Sequence, residues 1–163
     1  MQRLIKIIGG IDEAAFKEFS EAIDALEKQS KTQPIDIELS SGGGSAYDAL
    51  AFYSRLRLSP CHINIRTYGL VASAAVLVLA AGDVRAMTAE SWVMVHEDST
   101  KLKGHVFELE REAKHMRRLE DQWNALLAKR TLVDAATWGG LHRATTYLSA
   151  AECLELGLID KII

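Results

Sequence analysis

The chain reads as an α/β domain on a largely parallel sheet, and three observations predict it. Along the first half of the sequence, short β-type runs alternate with helical stretches in the order strand, helix, strand, helix, strand, helix. Strands joined through helices pair in parallel with right-handed crossovers. The most apolar tract, Gly69–Gly82, reads as a helix buried inside the fold. A long amphipathic helix is then expected from about 103 to 130.

Taken in order, Leu4-Ile5-Lys6-Ile7-Ile8 is a short apolar strand closed by Gly9-Gly10. Asp12 is placed to cap the next helix, and Phe16, Phe19, Ile23 and Leu26 recur at helical spacing to give it one buried face. Ile35-Asp36-Ile37-Glu38-Leu39 alternates with period two and reads as a half-buried strand. A glycine loop, Ser40-Ser41-Gly42-Gly43-Gly44-Ser45, opens a helix from about Ala46 to Arg57, with Pro60 marking its end. His62–Arg66 alternates again as a strand and delivers the chain to Tyr68-Gly69-Leu70-Val71-Ala72-Ser73. Val84–Met87 and Trp92–Val95 are further strands. In the 103–130 helix, Val106, Leu109, Ala113, Met116, Leu119, Trp123, Leu126 and Leu127 form the apolar stripe. That stripe is longer than a small domain easily covers, and periodicity alone leaves open whether it folds back on its own core.

At 163 residues the chain is expected to be one domain, residues 1–163, large enough for its own core. Its 48% hydrophobic and 25% charged content is that of an ordinary globular protein. A net charge of −3 gives no reason to propose nucleic acid as a partner, and clusters such as Lys114-His115-Met116-Arg117-Arg118 are set among acids on a solvated helix face. Cys61 and Cys153 occur singly, without metal or redox spacing, which points to reduced packing thiols and a cytoplasmic setting. Met1-Gln2-Arg3 runs straight into a strand, so no signal peptide is read, and Gly69–Gly82 falls short of the ~20 residues a membrane span needs.

Chemistry concentrates at two positions. Ser73 lies among small residues, where a close-packed elbow can leave a hydroxyl exposed beside a backbone amide, and His96 ends an apolar strand. A serine hydroxyl is a weak nucleophile until a base takes its proton, so Ser73 needs an imidazole within hydrogen-bond reach. Of the five histidines, His62 begins a strand, His105 and His115 lie on the long helix and His142 lies in a loop-like segment, which leaves His96 best placed. The glycine loop offers backbone N–H groups for an oxyanion, as does Ala74, the residue after the serine. Alone, each motif is also what ordinary packing or a plain turn would use. In combination they read as a serine hydrolase site.

Four motifs in one order carry a resemblance: Ser41-Gly42-Gly43-Gly44, Gly69-Leu70-Val71-Ala72-Ser73, Met94-Val95-His96, and Thr145-Thr146-Tyr147-Leu148-Ser149-Ala150. They resemble the proteolytic subunit of the Clp protease, the ClpP family of serine peptidases, from about Arg3 onward, and Glu152–Asp160 is similar to the family's closing helix and turn. The resemblance implies a ClpP/crotonase-like fold of repeated β-β-α/β-α units with a protruding handle helix. It implies Ser73 as nucleophile, His96 as base, and Gly44 with Ala74 as oxyanion donors. No metal and no cofactor are expected. The substrate would be a peptide or unfolded protein, cleaved inside a homo-oligomer, a heptameric ring or double ring, with no nucleic acid or membrane involved.

Two departures from the family pattern stand out. Thr145 occupies the position of the family's triad Asp, so the third member brings no charge. Glu97 is expected on the opposite face from His96, and Asp98 or Asp134 would reach it only if the backbone bent them in. The chain also begins almost at its first strand, so the segment that forms the family's axial loops is expected to be missing, which counts against family-type coupling to an AAA+ ATPase. The segment Glu97–Gly104 would receive substrate as an added strand, with Lys101 and Lys103 tilting preference toward acidic peptides or only guarding an edge. A slow Ser-His peptidase and a catalytically weak or inactive ring component that modulates a partner peptidase both follow from these residues. A Ser-Lys dyad, as in related membrane-associated peptidases, is disfavoured by the strand-end histidine.

Overall fold

Alternating strands and helices lay down the sheet from one edge inward. The computed structural model describes residues 3–99, 101 and 103–163. Within them β1 (Leu4–Ile11), β2 (Ile35–Gly44), β3 (Ile63–Ala72) and β4 (Val84–Met87) lie side by side, every neighbouring pair parallel. Helices α1 (Glu13–Gln29), α2 (Ala46–Arg57) and α3 (Ala74–Ala80) make the crossovers. The strand–helix alternation of the sequence thus becomes the parallel sheet expected of it. Asp12 caps α1, its Oδ1 accepting the Ala15 N–H at 2.9 Å, and Phe19, Ile23 and Leu26 form the buried face.

β3 is long enough to serve two partners. Asn64–Thr67 pair with β4, and Leu70–Ala72 pair with β5 (Trp92–Val95), also in parallel. Gly69 separates the two registers with φ +76°, a conformation glycine adopts without a Cβ penalty. The sheet therefore forks at Gly69, and the β5 branch carries the chain toward the site. β6 (Thr146–Ser149) runs antiparallel to β5, and β7 (Lys161–Ile162) extends the other branch beside β4.

The fork corrects one expectation. The Gly69–Gly82 tract is not one helix: its first four residues finish β3, and only Ala74–Ala80 are helical. Every residue of α3 is buried, and Val71 and Ala72 are buried too, so the tract is apolar on all sides in either conformation and offers no periodicity to separate strand from helix.

The long helix α4 spans Val106–Ala128, within the expected range. Its second half packs on α3 and on α5 (Ala135–Ala144), burying Leu119, Trp123, Asn124 and Leu127. Its first turn stands clear, with Val106 67% and Phe107 77% exposed. This is a protruding helix rooted at its C-terminal end. α5 is a second correction, because the sequence places His142 in a loop-like segment and the structure places it in a helix. Asp134 caps this helix, with Oδ1 2.8 Å from the Thr137 N–H, and Trp138 is fully buried beneath it. The Gly139-Gly140 pair suppresses the local helical signal, and packing against α4 restores the helix. After β6 comes α6 (Ala150–Glu155). No helix among the described residues is long and apolar enough to cross a membrane.

Candidate active site

β3 ends at Ala72, and the next residue leaves every regular conformation. Ser73 has φ 53° and ψ −125°, a region that side-chain-bearing residues avoid. Holding a residue there costs on the order of 1–3 kcal/mol, and it persists only where the surroundings over-determine it. Here they do: the Ser73 N–H donates to Met94 O at 2.8 Å, and Ser73 O accepts from the Val76 N–H at 3.0 Å. The first bond ties the elbow to β5, the second starts α3. Ala74, the first helical residue, has an amide that no intrahelical acceptor claims.

The glycine loop closes against this elbow. A Cβ on Gly43 would stand 2.7 Å from Ser73 Cβ and from Ala72 O, so only glycine fits at that approach. Gly44 faces the other neighbour, where a Cβ would meet Ile11 O at 2.2 Å. The amides of the loop are shared out unevenly. Gly43 N–H donates to Ser41 Oγ at 3.0 Å, and Ser45 N–H to Ile11 O at 2.8 Å.

His96 is the first residue beyond β5, and its Nε2 lies 2.9 Å from Ser73 Oγ. Its Nδ1 contacts Glu97 O at 2.5 Å. A carbonyl oxygen only accepts, so the ring proton is assigned to Nδ1 and the Nε2 lone pair faces the serine hydroxyl, which donates to it. The Glu97 N–H is in turn bonded to His142 O at 3.1 Å, which ties this turn to the end of α5. A backbone carbonyl, itself held by a neighbouring helix, therefore occupies the orienting position beside the imidazole.

Thr145 stands at the C-cap of α5, exposed, with φ 51° and its N–H on His142 O at 3.1 Å. Among the described residues its hydroxyl makes no hydrogen bond with His96. The Asp134 carboxylate is spent on Thr137 as the α5 cap. Asp98 lines the site without bonding the imidazole. Of the proposed strand-adding segment, Thr100 and Leu102 lie outside the described residues.

Beside Ser73 is a cavity of about 20 Å³. Ala74 and His96 line it, the root of α4 contributes Glu120, Trp123 and Asn124, the turn after β5 contributes Glu97 and Asp98, and α5 contributes His142. Sequence reasoning missed Glu120, Asn124 and His142 as site residues. An asparagine beside the apolar stripe of a long helix was the available signal, since it is 6% exposed and its Oδ1 finds no partner among the described residues. Burial pushes the His142 pKa down, with the Nδ1–H bond to Trp138 O at 2.9 Å acting in the opposite direction. Burial, then the neighbouring Glu97, pushes the Glu120 carboxyl up, with Arg143 acting in the opposite direction.

The arrangement holds a hydroxyl with a poised base and a free helix-start amide alongside, the parts needed for acyl transfer. The family model described as Clp protease matches residues 1–163. The ATP-dependent Clp protease proteolytic subunit 2 of Treponema denticola is 30% identical over 162 residues, covering 98% of this chain and 81% of that protein. The ATP-dependent Clp protease proteolytic subunit of Pleurastrum terricola is 26% identical over 163 residues, covering 99% of this chain and 83% of that protein.

Proposed function

The chain belongs to the Clp protease family, and from that premise we propose that it is a serine endopeptidase, cleaving peptides or unfolded proteins through an acyl-enzyme on Ser73. The observation that carries the reading is the 2.9 Å hydrogen bond between Ser73 Oγ and His96 Nε2 on a strained elbow. Ser73 Oγ attacks the scissile carbonyl as His96 Nε2 takes its proton. The imidazolium then gives that proton to the leaving amine as the C–N bond breaks. Water, deprotonated by the same nitrogen, releases the acyl group and restores the serine.

The developing oxyanion takes the Ala74 N–H and a second donor from the glycine loop. Gly44 supports that role, because the amides on either side of it are committed, Gly43 to Ser41 and Ser45 to Ile11. His96 works without a carboxylate on its Nδ1. The Glu97 carbonyl keeps the tautomer and offsets part of the imidazolium charge, so turnover is slow compared with a full triad, with uncharged Thr145 standing at the third-member position.

The relatives are named ATP-dependent proteolytic subunits, and by that likeness the chain works as one subunit of a homo-oligomeric ring, with an ATPase as prospective partner. A second reading, a weak or inactive ring component that modulates a partner peptidase, is favoured by the exposed, uncharged Thr145. A fluorophosphonate probe separates the two. Labelling that maps to Ser73 and disappears in Ser73→Ala supports the peptidase. Labelling at another serine overturns the site, and no labelling of the assembled protein leaves the modulator.

A further inference from the structure

β1 is the outermost strand of its sheet, and among the described residues it pairs with β2 alone. The Asp36 N–H donates to Arg3 O at 2.9 Å, so the main-chain groups of Arg3, Ile5 and Ile7 turn toward β2. Those of Leu4, Lys6 and Ile8 therefore turn outward, where no described strand or loop backbone bonds to them. Sheets commonly guard such an edge with a short strand, a proline or free charge. β1 has eight residues and no proline, and its register shift comes only after Ile8. Its one lysine, Lys6, lies against Glu38 at 3.3 Å, and Ile8 is 58% exposed. Beside the edge, between β1 and α1, runs a groove of about 290 Å³. Ile5, Ile7, Ala15, Phe19 and Ala22 make its walls apolar. Glu18 is the one carboxylate that lines it, and it enters no ion pair among the described residues.

We propose that the β1 edge and this groove form a docking site for an extended segment of an unfolded polypeptide, which adds to the sheet as a further strand. None of the residues involved lines the Ser73 cavity, so this is a second contact with the chain being degraded. The inference takes its occupant from the peptidase reading above. Outward N–H and C=O groups at every second residue are matched by an extended main chain. A helix has its own main-chain groups bonded internally and cannot meet them. Alternate side chains of the added strand face the groove. Apolar ones pack toward Phe19, and a lysine or arginine among them lays its stem along the apolar wall and brings its charge to Glu18. A long chain held here keeps its other stretches near Ser73 at raised effective concentration.

The test measures binding of a fluorescent peptide, with valines and one lysine at alternate positions, to the full-length Ser73→Ala protein. Lys6→Pro removes one outward N–H and leaves the β1–β2 ladder in place, whereas Lys6→Ala removes the charge and keeps the N–H. Binding is expected to weaken about tenfold in Lys6→Pro and to stay within about twofold in Lys6→Ala. Glutamate in place of the peptide lysine is expected to cost about fivefold, a difference that Glu18→Gln erases. A further arm needs no change at the edge. N-methylation of one alternate set of peptide amides is expected to abolish binding, and of the other set to spare it. Equal effects of the two sets, or of proline and alanine at position 6, overturn the docking site. Absent peptide binding, with a mass by light scattering that falls in Lys6→Pro, overturns it in favour of a second copy covering the edge. Probe labelling of the parent is read separately. Labelling without binding at the edge sinks the docking site alone, and binding at the edge without labelling sinks the peptidase reading alone.

Discussion

Ser73 is held at φ 53° and ψ −125° so that its hydroxyl can meet His96, and that strain makes the residue a site where function and stability oppose each other. Glycine adopts this conformation without strain. Ser73→Gly is therefore expected to raise stability by about 1 kcal/mol, net of the entropy glycine adds to the unfolded chain. In a domain of this size that is a rise of roughly 2–4 °C in Tm, with all probe labelling lost. Ser73→Ala keeps the strain and is expected to lose labelling with no such rise. A Tm for Ser73→Gly at or below that of the alanine variant would mean that the elbow is relaxed. Thr145 is the other side-chain-bearing residue described at positive φ, and it is β-branched, whereas Asp tolerates the left-handed region better. Thr145→Asp is expected to fold at least as well and to raise peptide turnover, because a carboxylate near His96 favours the imidazolium. The gain should stay well below the ~10⁴ that a native triad Asp is worth, since no surrounding shell was built for the charge. Unchanged turnover in an intact assembly would mean that the Glu97 carbonyl already does the orienting. The Ser73–His96 pair was legible from motif order alone. What holds His96 was not, because a main-chain carbonyl leaves no residue type to read, and His142 was hidden by the paired glycines that disguise its helix.

Seven buried apolar residues make α3, and the carbonyls at its C-terminal end depend on arginines brought from elsewhere. Arg130 donates from Nε to Ala80 O at 3.0 Å and from Nη2 to Gly82 O at 2.7 Å, and Arg57 donates to Ala81 O at 3.1 Å. Removing Arg130 leaves carbonyls stranded at a buried helix end. Arg130→Met is expected to destabilise by about 2 kcal/mol or more in denaturant unfolding. Arg130→Lys should recover only part of it, since an ammonium cannot span both oxygens as the planar fork does. The closing strand β7 has a similar anchor. Arg85 donates from Nη2 to Asp160 Oδ1 at 2.8 Å and from Nη1 to Arg130 O at 2.7 Å. Burial pushes the Asp160 carboxyl up, but the Arg85 hydrogen bonds outweigh it and leave the group below its ordinary value of 3.8. A carboxylate depressed in the folded state contributes stability above the unfolded value and loses it as pH falls through the folded one. Stability should therefore decline below about pH 4 in the parent, with a shallower decline in Asp160→Asn; equal slopes would remove Asp160 from the acid response. These anchors explain which elements could be read in advance. The first strands and helices announce themselves by alternation or by a periodic face, whereas β6 and β7 are four and two residues long and exist through pairing with β5 and β4.

Across the whole molecule, apolar surface is left where this chain has nothing to cover it. The sheet and the root of α4 close over a continuous core, but the start of that helix projects with Val106 67% and Phe107 77% exposed. A helical segment without a packed face is marginal in water, and contiguous apolar patches of this kind mark interaction surfaces. Trp92 and Tyr147 add a second such patch on the β5–β6 branch, at 49% and 59% exposure. Two patches on different elements fit a subunit with two kinds of neighbour, one around a ring and one across stacked rings. The long helix was predictable from its stripe, but periodicity left open whether it folds back on its own core, and its projection was an expectation of the resemblance alone. The second patch was not foreseen, since Trp92 and Tyr147 are brought together only by antiparallel pairing. Light scattering at working concentration is expected to give a mass several times 18.0 kDa. If α4 joins two rings and the β5–β6 branch joins neighbours within one, the double variant Val106→Lys, Phe107→Lys should halve the mass and leave a single ring. Tyr147→Lys should instead break the ring itself. A parent mass near 18.0 kDa would overturn the assembly, and a double variant of unchanged mass would remove α4 from the contact between rings.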